Sequence, residues 1–336
     1  MESKKHGQDN LRAAKMKAVI LDADTLGNDD VSLAPLTGQP LQWNVYEASD
    51  PEQVAARLAN ADVVLTNKVI IGAKEMDSAP GLRYIGVLAT GTNVVDLEAA
   101  SARGVVVSNV TNYGTGSVVQ HTWAMILALA TRLPDYNVAA LDGSWSSSGR
   151  FCLMDYPVME LAGKTLGIIG YGQLGRAVAE IGRAFGMQVN VASLPWRHDD
   201  QPGRVPLETL LREVDVLSLH CPLTDETRGL IGRRQLAMMK SQALLINCAR
   251  GGLVDEAALA EALEDGEIAG AGVDVLAEEP PVNGNPLLNP ELPNLIVTPH
   301  SAWVARESRQ RLVQQAADNL RAFLAGHPVN VVNKKE

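Results

Sequence analysis

The chain has 336 residues and a formal net charge of −10; 46% of its residues are apolar but only 4% aromatic. That length suits two domains better than one, with cores built from Val, Ile, Leu and Ala. The acid excess excludes the basic stripe of a nucleic-acid surface, no run of about 18 apolar residues marks a membrane span, and the polar start "MESKKHGQDNLRAAK" lacks the apolar centre of a signal peptide and reads as a frayed tail.

In chain order, apolar runs of strand length alternate with helical patterns. The first series of predicted strands is Ala18–Leu21, Val63–Thr66, Tyr84–Leu88 and Val105–Ser108. A second series follows: Thr165–Ile169, Val189–Ala192, Val216–Leu219, Ala243–Asn247, Ala271–Val275 and Leu295–Thr298. Helix signals stand between them. Asp50 precedes "PEQVAARLAN" as an N-cap with Pro at the first helical position, and Asp255 precedes "EAALAEALEDG", which closes at Gly266. This alternation predicts an α/β protein with parallel sheets covered on both faces.

A helix predicted over Gly116–Arg132 separates the two series. After it, "PDYNVAALDGSWSSSGRFCLMDYPVMEL" reads as an irregular stretch, long for a loop within a compact domain. Its Trp145, Phe151 and Met154 need cover, supplied either by its own domain or by a second subunit. A last helix, about Val304–Ala325, returns the chain to the first domain. The domain owning both chain ends is therefore 1–115 with 304–336, and 116–303 is inserted into it. Three cysteines, Cys152, Cys221 and Cys248, are odd in number and widely spaced. They fit free thiols in a reducing cytoplasm rather than a disulfide frame or a zinc site.

Within the insertion, "LGIIGYGQLGRAVAE" places G-x-G-x-x-G between a strand and a helix. Gly170 permits the tight turn, Gly172 leaves room for a pyrophosphate, and Gly175 lets the helix pack on the strand. The helix N-terminus adds unpaired N–H groups for phosphate. This predicts a Rossmann dinucleotide domain. The next strand should end in an acid that binds the adenosine ribose, but Ser193 stands there, with Arg197 and His198 just beyond. A missing carboxylate beside a cation leans towards NADP over NAD; the other reading leaves the ribose to Asp199 or Asp200.

Three later segments end strands with reactive side chains: Arg250 in "INCARGGLVDE", Glu279 in "GVDVLAEEPP" and His300 in "IVTPHSAW". In a parallel sheet all three strand ends share the carboxyl edge with the cofactor crevice. There a guanidinium grips a carboxylate and polarises the neighbouring carbonyl, and an imidazole backed by a carboxylate donates a proton while hydride arrives.

The chain resembles the D-isomer-specific 2-hydroxyacid dehydrogenases from about Lys17 to Val329, through "GYGQLGRAVA", "HCPLTDETRGLI", "LLINCARGGLVDE", "GVDVLAEEPP" and "TPHSAW". Within them it looks most like the glycerate dehydrogenase and hydroxypyruvate or glyoxylate reductase branch, on "TPHSAW" and "NVTNYGTGSVVQHT". The resemblance implies two doubly wound parallel-sheet domains, a Rossmann domain inserted into a flavodoxin-like substrate domain, with a cleft between them. It puts the catalytic set on Arg250, Glu279 and His300. Cofactor contacts fall on Gly170, Gly172, Gln173, Leu174, Ser193, His220, Pro222, Thr227, Cys248, Ala249 and Asp274. Arg197 joins them from the NADP reading, and Cys221, beside the cofactor, is expected to pack rather than react. Thr115 and Gln120 are implied as further cofactor contacts.

The substrate carboxylate is expected to meet Asn67, Lys68, Ala89, Thr90 and Gly91 as well as Arg250 and His300, the Ala89–Gly91 amides facing it at the start of a helix. Trp145 and Trp303 are candidates for the pocket wall, with a core role as the other reading of Trp303. The resemblance also implies a homodimer joined through an arm at Pro134–Leu161. The implied reaction is reduction of a small 2-keto acid, hydroxypyruvate or glyoxylate, to D-glycerate or glycolate, and the reverse. A phosphoglycerate dehydrogenase-like enzyme and a non-enzymatic NAD(H)-sensing protein are the alternatives.

Overall fold

The computed structural model describes residues 16–27, 30–194 and 203–334. Arg197, His198, Asp199 and Asp200, on which the cofactor-preference reading partly rests, lie outside the described residues. The chain divides into two compact units, Met1–Gly114 with Val304–Glu336, and Thr115–Trp303.

The first unit is a five-stranded sheet in the order β2-β1-β3-β4-β5, with β1 Lys17–Ile20, β2 Gln42–Val45, β3 Val63–Thr66, β4 Tyr84–Val87 and β5 Val106–Ser108. Every pairing is parallel, and this order is the flavodoxin-like one. The inner strands β3 and β4 are buried along their whole length, because helices cover both faces. The chain returns through the long helix Arg306–Leu324, whose Phe323 ring lies 4.7 Å from that of Tyr84.

The second unit is a seven-stranded parallel sheet in the order β12-β11-β10-β9-β6-β7-β8. Its strands are β6 Thr165–Ile169, β7 Gln188–Ser193, β8 Arg204–Pro206, β9 Val216–Leu219, β10 Leu244–Asn247, β11 Gly270–Val273 and β12 Leu295–Val297. Counted from β6, this is the Rossmann order, extended by one strand. Successive strand side chains point to opposite faces, and the core divides accordingly. Leu166, Ile168, Val216, Leu244 and Ile246 join the cluster around Trp123 and Ile126 of the helix Thr115–Thr131. Ile169, Leu217, Leu219 and Leu245 join the cluster on the other face with Leu210, Leu253 and Leu259.

The structure corrects the sequence reading in two places. Strands β2 and β8 have no counterpart among the predicted strands. Both end their sheet's order, and β2 is largely exposed. Such short edge strands need no apolar run, so the signal that marks an inner strand is absent. The stretch read as irregular after residue 132 instead carries two helices, Leu133–Leu141 and Ser144–Ser148. Pro134 at the start of the first is compatible with helix, because its missing N–H would be unpaired there anyway.

Candidate active site

The site is built at the carboxyl edge of the second sheet. The strand order reverses between β6 and β9, and such a switch point opens a crevice just beyond the strand ends. The chain leaves β6 through Gly170, whose φ is +93°. A Cβ there would come 2.5 Å from the backbone of His220 and Cys221, so this glycine is required twice over. A Cβ on Gly175 would strike the Gly170 carbonyl and sit 3.1 Å from Ile168, so the third glycine lets the helix Gln173–Ala184 sit on β6. Gly172 differs from both. It is extended (φ −77°, ψ −158°), and a Cβ there would meet nothing within 4 Å. Among the described residues, no group demands a glycine at this position. The helix it caps has no side-chain cap for its first N–H groups, which an anion can accept.

A second feature points the same way. His220 follows β9, and its Nε2 lies 2.9 Å from the Ser218 hydroxyl. Its Nδ1 is enclosed and meets no partner among the described residues. Burial pushes the His220 pKa down to about 4, so the ring is neutral near pH 7. Open space at Gly172, uncapped amides and an unpartnered imidazole nitrogen fit a phosphate-bearing, polar cofactor. The expected consequence separates two glycines. Gly172→Ala should shift Tm by no more than about 2 °C yet raise the KM for NAD(P)H about tenfold or more, whereas Gly170→Ala should cost several kcal/mol, roughly, of stability. Thermal melts and cofactor titrations of both variants check this; equal effects would refute the assignment.

Strands β10, β11 and β12 are adjacent, about 4.8 Å apart. At the end of β10, the buried Asn247 shapes a turn: its Nδ2 donates to the Arg250 carbonyl at 2.9 Å and its Oδ1 accepts from the Ala249 N–H at 3.1 Å. Arg250 caps the short helix Gly251–Leu253 and is exposed. A Cβ on Gly251 would run into the backbone of Leu276 and Ala277, so the Arg250 turn lies directly on the loop leading to Glu279. That loop is held by Glu256, which accepts from the Ala277 N–H at 2.7 Å.

Glu279 is anchored through Oε1, which accepts the Leu276 N–H at 2.8 Å, and its Oε2 lies 2.7 Å from Nδ1 of His300. About a third of each side chain of this pair is exposed. The Glu279–Pro280 peptide is cis. His300 has a φ of +51°, a conformation uncommon outside glycine and asparagine. Its N–H is tied to the Asp274 carbonyl at 2.7 Å.

Other residues implied by the resemblance play different parts. Both oxygens of the buried Asp274 carboxylate are engaged by the His300 loop: Oδ1 accepts from Thr298 Oγ1 (2.5 Å) and the Ser301 N–H (2.8 Å), Oδ2 from the Ala302 N–H (3.0 Å). His121, which the sequence reading passed over, joins this network with Nε2 3.0 Å from Thr298 Oγ1. The Thr227 hydroxyl donates to the Pro222 carbonyl at 2.8 Å and closes the loop after β9. Cys221 is buried in the core cluster. Cys248 is buried too, and burial pushes its thiol up to about 12, which makes it unreactive. Ala249 is half-buried, Ser193 is the half-buried last residue of β7, and Gln173 and Leu174 open the glycine-loop helix. Thr115 opens the helix Thr115–Thr131, on which Gln120 is exposed; Trp145 is exposed and Trp303 half-buried.

In the first unit, one expectation is corrected. Ala89, Thr90 and Gly91 do not begin a helix. They lie in the loop after β4, and the helix starts at Leu97, where Asp96 accepts the Ala99 N–H at 2.8 Å. A carboxylate N-cap outcompetes a glycine as a helix start. Asn67 and Lys68 part company: Asn67 is buried, with Nδ2 donating to Thr25 Oγ1 at 3.0 Å, whereas Lys68 is exposed.

The family model for "D-isomer specific 2-hydroxyacid dehydrogenase, NAD binding domain" matches residues 123–302. A glycerate dehydrogenase of Methylorubrum extorquens is 46% identical over 94% of this chain and 98% of its own length. A hydroxypyruvate reductase of Blautia hydrogenotrophica is 40% identical over 95% of this chain and all of its own. A crystal structure of an NADPH-dependent glyoxylate/hydroxypyruvate reductase from Sinorhizobium meliloti, 28% identical, superposes with a TM-score of 0.81 over 95% of this chain and 98% of that one. With a Rossmann sheet, a glycine loop open to a dinucleotide and relatives matched nearly end to end, the chain belongs to the D-isomer-specific 2-hydroxyacid dehydrogenases and is an NAD(P)-dependent oxidoreductase.

Proposed function

We propose that the enzyme reduces hydroxypyruvate or glyoxylate to D-glycerate or glycolate with NAD(P)H, and catalyses the reverse reaction. The observation that carries this reading is the Glu279–His300 pair at 2.7 Å, one strand end away from Arg250. When bound, the reduced nicotinamide supplies the hydride that adds to the keto carbon. Arg250 forms the paired hydrogen bonds that hold the substrate carboxylate and orient its carbonyl. His300 donates the Nε2 proton to the carbonyl oxygen as negative charge develops there. Glu279 accepts a hydrogen bond from the Nδ1–H, which fixes the ring's orientation and tautomer and directs Nε2 to the substrate. In the reverse direction the same nitrogen takes the proton of the hydroxy acid.

The cofactor set is Gly170, Gly172, Gln173, Leu174, Ser193, Arg197, His220, Cys221, Pro222, Thr227, Cys248, Ala249 and Asp274. Thr227 and Asp274 serve it by shaping their loops. Asn67, Lys68, Ala89, Thr90 and Gly91 complete the substrate set, Asn67 by holding its loop. Ser193 in place of an acid favours NADP, as does the NADPH dependence of the Sinorhizobium relative.

The enzyme works as a homodimer in the cytoplasm. Support for a second copy is the apolar surface of the arm at Pro134–Leu161, where Leu141, Phe151 and Met154 are 80%, 96% and 82% exposed, more than an isolated chain leaves bare by chance. Support for the compartment is three free thiols; among the described residues no helix is long and apolar enough to cross a membrane.

A panel of hydroxypyruvate, glyoxylate, pyruvate and 3-phosphohydroxypyruvate against NADH and NADPH, read by absorbance, tests the substrate class. The expected result is kcat/KM for hydroxypyruvate or glyoxylate at least about tenfold above the other keto acids. Preference for the phosphorylated acid, or cofactor binding without turnover, would overturn it.

A further inference from the structure

The buried carboxylate of Asp22 belongs to no step described so far. It follows β1 and is 2% exposed. Leu21 extends the pairing of β1 with β3 through its N–H to the Leu65 carbonyl, at 3.1 Å. Asp22 therefore arrives beside the point where the chain leaves β3. There three consecutive backbone N–H groups turn inward onto it. Oδ2 accepts from Lys68 at 2.6 Å, Asn67 at 3.0 Å and Val69 at 3.1 Å, and Oδ1 accepts from Asn67 at 3.0 Å. Successive amides converging in this way make an anion cradle, and here a side chain of the protein fills it.

The cradle is braced on both sides. Asn67 Nδ2 donates to Thr25 Oγ1 at 3.0 Å, Thr25 Oγ1 donates to the Asp22 carbonyl at 2.6 Å, and Thr66 Oγ1 donates to the Val69 carbonyl at 2.8 Å. Burial raises the Asp22 carboxyl above its ordinary value against the opposing pull of the three amides. With the backbone facing inward, the Lys68 side chain is turned to the surface.

We propose that Asp22 is a positioning residue for substrate binding: it locks the backbone of residues 67–69 so that Lys68 is presented to the anionic keto acid. This rests on the reading of that loop as part of the substrate set. It predicts a defect confined to substrate affinity, because Asp22 touches neither reacting atoms nor cofactor residues.

Two variants and two readouts test it. In Asp22→Asn, one acceptor oxygen becomes an N–H donor facing N–H donors. Hydrogen exchange of the peptide covering residues 67–69 is expected to accelerate about tenfold or more, and the KM for hydroxypyruvate to rise about tenfold. The kcat and the KM for NAD(P)H should stay within about threefold. Lys68→Ala should raise the same KM and add little on top of Asp22→Asn, since both act through one side chain. Unchanged exchange, or an unchanged keto-acid KM where Lys68→Ala raises it, overturns the positioning role. If exchange accelerates but Lys68→Ala leaves that KM alone, the substrate reading of the loop is what fails, and the proposal falls with it. Should Asp22→Asn fail to fold, Thr25→Val removes the brace on Asn67 and leaves the carboxylate; a smaller rise in the same KM is expected, and no rise overturns the proposal.

Discussion

Replacing His300 with Asn is expected to lower kcat for keto-acid reduction by about 10²- to 10⁴-fold, the range for loss of a positioned general acid. Asparagine isolates the chemistry from the fold. His300 sits at φ +51°, and Asn is among the few residues that tolerate this region, so the loop 298–302 should keep its shape. Asn cannot supply a titratable proton donor at the Nε2 position. The affinity for NAD(P)H, measured by fluorescence quenching, should therefore stay within about twofold. Glu279→Gln gives a graded companion. Its side chain still reaches His300 but carries no charge to complement the ring during proton transfer, so kcat should fall less than in His300→Asn. A kcat for His300→Asn within about threefold of wild type would eliminate the proton-donor assignment.

The second large effect is expected at Arg250. Arg250→Lys keeps the charge but removes the planar fork that matches a carboxylate. With two charge-assisted hydrogen bonds reduced to one point contact, a loss of about 3 kcal/mol in transition-state binding is expected, roughly 10²-fold in kcat/KM for hydroxypyruvate. Arg250→Ala should lose more, because both the charge and the paired hydrogen bonds to the keto acid's carboxylate are then gone. Neither change should disturb the fold: the side chain is exposed, and the turn is held by Asn247 through the backbone of Ala249 and Arg250. Steady-state kinetics with thermal melts decide the matter. A kcat/KM for Arg250→Lys equal to that of the wild type, at unchanged Tm, would remove the carboxylate-gripping role.

Different parts of the molecule left different traces in the chain. Inner strands such as β3, β4, β9 and β10 announce themselves as apolar runs because both faces are covered. Edge strands β2 and β8 carry no such run. The glycine loop is readable because Gly170 and Gly175 meet steric demands of the fold, Gly172 keeps the space between them open, and the three recur at a fixed spacing. The helix start expected at Ala89–Gly91 went wrong for a local reason: the glycine after the strand was read as opening the helix, while Asp96 offered the stronger cap a few residues on.

The sequence by itself determined the two parallel sheets and the dinucleotide loop, and it put Arg250, Glu279 and His300 at strand ends that share one edge, since these follow from short-range patterns; their proposed roles rest on the resemblance as well. Tertiary structure alone decided what meets across sequence distance: Asp22 with the amides of residues 67–69, Asp274 with the loop that bends His300, and Gly251 against the Glu279 loop. A carboxylate carries no mark of its partner in the chain. Only the pairing of strands, set by burial of their apolar faces, brings that partner within hydrogen-bonding reach.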